Sequence, residues 1–172
     1  MPLALRIAGD PNLWVLGADA QADAIQQDLI NQDNPVTLDV DWPLKGRLVL
    51  SPLAVTSVAV LTPPVGWIPG GDVASPSGWI PGGHMPPPGG PPSNAIQNSA
   101  LLYVPSLTGP VPDDLGYTLP ESTDLTELEN EIVAAMTDGT TIAIEVTLGA
   151  WGGPLLLNGA ALPFAVICPP RA

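Results

Sequence analysis

Positive charge is almost missing from this chain. Seventeen aspartates and glutamates stand against four bases, Arg6, Lys45, Arg47 and Arg171, for a formal charge of −13 over 172 residues. Phosphate backbones are gripped by clustered Lys and Arg, and anionic bilayers by polybasic segments. Neither partner suits this chain. Charge of either sign is scarce at 12%, about half the usual share, which suggests a surface covered by neighbours.

Cysteine and histidine occur once each, as Cys168 and His84. One cysteine makes no internal disulfide, and one inside an apolar strand reads as a buried packing thiol. A thiolate nucleophile would want a nearby histidine, and His84 lies in a Pro/Gly segment. No Gly-Lys-Ser or Gly-x-Gly-x-x-Gly follows a strand, so no phosphate loop is expected. Asp113-Asp114 lacks EF-hand spacing. Residues 146–170 carry no charge, but Gly149, Gly152, Gly153, Pro154, Gly159 and Pro163 break any continuous membrane-spanning helix. The start, Met1 to Ile7, lacks the basic-then-apolar pattern of a signal peptide. The expectation is a chain without catalytic residues, cofactor or metal, located in a virion or a cytoplasmic particle.

Two things are abundant. The first is proline with glycine, 23 and 18 residues, concentrated in a strap over 62–95. The strap carries Gly-Trp-Ile-Pro-Gly-Gly twice, at 66–71 and 78–83. Trp-Ile-Pro is a stiff apolar wedge, and the flanking glycines let the backbone turn tightly. Trp67, Ile68, Pro69, Trp79, Ile80 and Pro81 are therefore the expected partner-docking residues, in cis or in trans.

The second is self-similarity. Val36-Thr37-Leu38-Asp39-Val40, Leu48-Val49-Leu50 and Ala59-Val60-Leu61-Thr62-Pro63-Pro64 return as Ile142-Ala143-Ile144-Glu145-Val146, Leu155-Leu156-Leu157 and Ala165-Val166-Ile167-Cys168-Pro169-Pro170. Leu48 aligns with Leu155 and Pro63 with Pro169, at offsets of 107 and 106. Alternating apolar residues predict strands, with Asp39 and Glu145 facing solvent. Ala18, Ala22, Ile25 and Leu29 fall on one helical face, with Asp19 at its start. Leu125, Leu128, Ile132 and Met136 form a second, with Asp124 as N-cap and Gly139 as stop.

The fold expected is α+β: two tandem β-β-α-β-β-β repeats, 1–61 and 96–172, arranged as a pseudo-twofold pair and joined by the strap. Domains of this size are marginal alone, so the halves should share a core or lean on a partner. The function expected is non-enzymatic and structural: a component of a large assembly, a phage or virus-like decoration or minor capsid protein whose partners are other subunits. Self-association fits the same picture. A soluble peptide- or protein-binding adaptor of bacterial origin is the first alternative, and an enzyme of unknown type the second.

Overall fold

The computed structural model describes residues 3–10, 13–31, 34–42, 44–63, 99–105, 117–148 and 151–170. The fold is α+β, with two helices on a sheet in which every pairing is antiparallel. The first half supplies β1 (Ala4–Ile7), β2 (Leu13–Leu16), α1 (Ala22–Asn31), β3 (Val36–Trp42), β4 (Gly46–Leu50) and β5 (Val58–Leu61). The second supplies β6 (Leu101–Tyr103), β7 (Tyr117–Thr118), α2 (Leu125–Asp138), β8 (Thr141–Leu148), β9 (Trp151–Asn158) and β10 (Phe164–Cys168).

Among the described residues ten strands form one sheet, in the order β5-β1-β2-β3-β4-β10-β6-β7-β8-β9. This corrects the expected pseudo-twofold pair. A twofold would set like edges together, β4 beside β9 or β5 beside β10. The sheet instead joins β4 to β10, two unlike edges. The halves follow each other head to tail, in the same internal order. Because β4 and β10 run antiparallel, the second half is turned over about the long axis of the sheet, and the two helices sit on opposite faces.

The two cores show this turn directly. On the α1 side Ile25 packs with Leu5, Trp14, Leu48 and Leu50, and with Tyr103, Phe164, Val166 and Cys168 of the second half. On the α2 side Leu128, Ile132 and Met136 pack with Leu102, Ile144, Leu157, Ala165 and Ile167, and with Val49 of the first half. Successive residues of a strand face opposite ways, so β4 and β10 each feed both cores. All five residues of β10 are buried. The aromatic cluster at the junction draws on both halves: Trp14 lies 5.4 Å from Tyr103 and 5.8 Å from Phe164, centroid to centroid. Asp10, itself buried, accepts the Trp14 indole N–H.

Helix α2 matches its expected face. Asp124 accepts from the N–H groups of Thr126 and Glu127, and Gly139 closes the helix at φ 68°, the left-handed region that glycine tolerates. Helix α1 departs from expectation. It begins at Ala22, so Ala18 and Asp19 precede it and are exposed; Ala20 takes the packing role with Ala22 and Leu29. Ladder register also shifts which residues of the two halves hold like places in the sheet. Leu5 pairs with Trp14 and Val60, and Leu102 pairs with Tyr117 and Ile167. Val60 therefore corresponds to Ile167, an offset of 107 throughout β4 and β5. A one-residue slip would swap the faces, and Val60 and Ile167 each face their own half's helix.

Candidate interaction surface

The residues expected to dock a partner, Trp67, Ile68, Pro69, Trp79, Ile80 and Pro81, lie outside the described residues, as do His84, Asp113 and Asp114. Asp39 and Glu145 are exposed, as expected. Cys168 is buried between strands at the junction. Among the described residues no group of three or more His, Cys, Asp or Glu could hold a metal, and no helix is long and apolar enough to cross a membrane.

The structure draws attention elsewhere, to the outer strand β9. It pairs antiparallel with β8, with Leu148 opposite Trp151 and Thr141 opposite Asn158. Leu155 and Leu157 turn inward beneath α2. Leu156 points to the opposite face and is 67% exposed; Trp151, at the start of the strand, is 83% exposed. The Gly159 N–H donates to the Thr140 carbonyl at 2.8 Å, so the odd-numbered residues of β9 bond to β8. The backbone groups of residues 154, 156 and 158 point away from the sheet. Beside Leu156 runs an apolar groove of about 520 Å³, lined in part by Val104, Pro105, Leu155, Leu162 and Phe164.

The corresponding strand in the first half, β4, is the reverse. Val49 stands at the place of Leu156 and is fully covered. Gly46 corresponds to Gly153. A Cβ on Gly46 would lie 2.1 Å from the Ile167 carbonyl oxygen, so only glycine lets β10 approach. A Cβ on Gly153 would meet nothing within 4 Å. A polar clamp adds to the β4·β10 junction. Arg47 donates to Glu129 on α2 at 3.2 Å and to Asp39 on β3 at 2.9 Å. The hydrogen bonds to Glu129, then to Asp39, raise the guanidinium pKa above its ordinary value.

The other end of the sheet is β5, whose four residues are all half-buried. The Ala8 N–H donates to Ser57 at 2.9 Å, so Ser57, Ala59 and Leu61 bond to β1, and the backbone groups of Val58 and Val60 point outward. On α1, Ile30 is 74% exposed. Neither β5 nor β9 contains a charged residue. Lysines, prolines, inward charges and bulges are how exposed sheet edges are normally protected from pairing; within β9, Pro154 is such a device. One signal in the sequence separates β9 from β4: proline is confined to sheet edges and bulges, and Pro154 stands where β4 has Arg47. The burial contrast itself requires the sheet order. Comparison with protein-family models, curated proteins and solved structures finds no match.

Proposed function

We propose that this chain is a non-enzymatic structural component of a large protein assembly, built as two tandem repeats joined by the 62–95 strap. One observation carries the reading: β9 is an uncharged edge strand whose Leu156 is bare, while Val49, at the same place in the first half, is completely covered. Exposed apolar residues on a pairing-competent edge mark a surface that other protein covers. Sparse charge and a long, specific strap support a virion or cytoplasmic particle as the setting, with the chain as a decoration or minor capsid protein and the two Trp-Ile-Pro elements as a second docking device. The groove beside Leu156 favours one other reading, an adaptor that seats a peptide there.

Rate-zonal sedimentation of a native extract tests the assembly reading. The wild-type chain should run in a fast-sedimenting particle fraction. Leu156→Asp with Trp151→Ser should move it to the top of the gradient while its far-UV spectrum stays unchanged. Recovery of the wild-type chain only at the top, as a monodisperse monomer, would exclude assembly and leave the adaptor.

A further inference from the structure

We propose that the partner of β9 is β5 of a second copy of this chain, paired head to tail in the register of the internal β4·β10 junction, so that copies add into an open-ended ribbon. The inference rests on the assembly reading and names the occupant of its bare edge. The template is inside the molecule. In the second half β10 holds the place that β5 holds in the first, and β9 holds the place of β4. One copy therefore ends on the same kind of edge that its own first half presents to its second.

Transferring the junction fixes the contacts. Ala165 pairs with Val49 and Ile167 with Arg47. The corresponding intermolecular pairs are Val58 with Leu156 and Val60 with Pro154. These are the residues whose backbone groups point outward on the two edges. Gly153 then has a reason to be glycine: it occupies the place where Gly46 admits the backbone of β10. Side chains agree as well. In the molecule, Val49 lies in the core cluster against which Val133 of α2 packs. Helices α1 and α2 correspond at an offset of 103, Ile25 to Leu128 and Leu29 to Ile132. Ile30 therefore stands at the place of Val133, on the side of α1 that faces the outer edge. Ile30 of one copy would cover Leu156 of the next, and two of the exposed large apolar residues would be buried by one contact.

The same transfer shows where the intermolecular junction is weaker. Pro154 replaces Arg47 and has no N–H, so the Val60 carbonyl goes without a donor. Gln26 replaces Glu129, so the clamp is missing. Association is accordingly reversible and dependent on concentration. Joining unlike edges closes no ring of two, and growth has no built-in stop.

Analytical ultracentrifugation of the purified full chain, run up to millimolar concentration, tests this. The wild type should give a series of sizes that grows with concentration. Leu156→Asp blocks the β9 end and Ile30→Asp the β5 end. Both side chains lie in solvent, so each variant should unfold at the wild-type temperature and remain monomeric. Mixed together they should form a one-to-one dimer and stop, because each retains the complementary end. Gly153→Val should block the β9 end by sterics alone. Pro154→Arg with Gln26→Glu should restore the hydrogen bond and the clamp, and lower the concentration for association by roughly tenfold. A wild type that stays monomeric, a dimer that does not grow, or a mixture of the two blocked variants that remains monomeric would each overturn the proposal. None of these results bears on sedimentation of the chain with a particle in native extract, so the two readings fail separately.

Discussion

Strands β4 and β9 are nearly the same strand. Each has a glycine two residues before a run of three aliphatics, Leu48-Val49-Leu50 in one and Leu155-Leu156-Leu157 in the other. Each pairs antiparallel with the strand before it, in the same register. Yet one lies in the middle of the sheet and the other at its end. The local sequence decides that both are strands and which side chains face their own helix. A neighbour decides whether the other face and the outer backbone groups are covered. Burial here belongs to the junction rather than to the segment.

Four measurements would break or sharpen that comparison, all read as urea unfolding midpoints converted to free energy. The largest effect should come from Phe164→Ala, which removes one of the second half's two aromatics from the core under α1. It should destabilise by about 3–5 kcal/mol, in a single transition monitored by far-UV and by tryptophan signals together. Two separate transitions would mean that the halves do not share this core. Next is the glycine pair. Gly46→Val forces β10 away from β4 and should lose on the order of 3 kcal/mol, whereas monomeric Gly153→Val should stay within about 0.5 kcal/mol of wild type. Equal losses at both sites would remove the asymmetry.

Third, Val49→Ala should destabilise by roughly 2 kcal/mol, from two buried methyl-sized groups. Leu156→Ala takes away a larger side chain and should change monomer stability by less than about 0.5 kcal/mol. If the leucine mattered more, the burial contrast would be wrong. The smallest effect belongs to the clamp. A double-mutant cycle on Arg47→Ala and Glu129→Ala should return a coupling of up to about 1 kcal/mol, because the pair is only partly shielded from water. A coupling of zero would show that the clamp selects geometry without adding stability.

Much of this fold could be read from the chain. The order of strands and helices, the α2 face through Leu128, Ile132 and Met136, the Asp124 cap, and burial of Cys168 all follow from local patterns that the structure keeps. Helix α1 was less legible, because alanines are weak face markers. Ala18 and Ala20 both fit an apolar spacing, and only the packing of Ala20 decides between them. The relation of the halves was not legible. Pseudo-twofold and head-to-tail arrangements use the same strands with the same amphipathic patterns. A hint existed in Leu48 to Leu50 and Phe164 to Cys168, continuous apolar runs of the kind found in strands buried on both faces. Period-2 reasoning treats such runs as ordinary strands and misses the second face. The candidate surface was harder still, since Leu156 differs from Val49 by a single methylene.

Making the central contact between β4 and β10 has a consequence for how the molecule comes into being. More than a hundred residues separate Leu50 from Phe164. On a ribosome adding about 5–20 residues per second, β4 would wait on the order of ten seconds for its neighbour. Throughout that interval the first half presents Val49 and an open ladder to whatever is near, including the β5 edge of another nascent copy. Timely closure by the last strand then competes with premature pairing between chains. Slow translation through residues 99–163 should therefore raise the yield of misassembled protein, whereas slow translation before residue 46 should not.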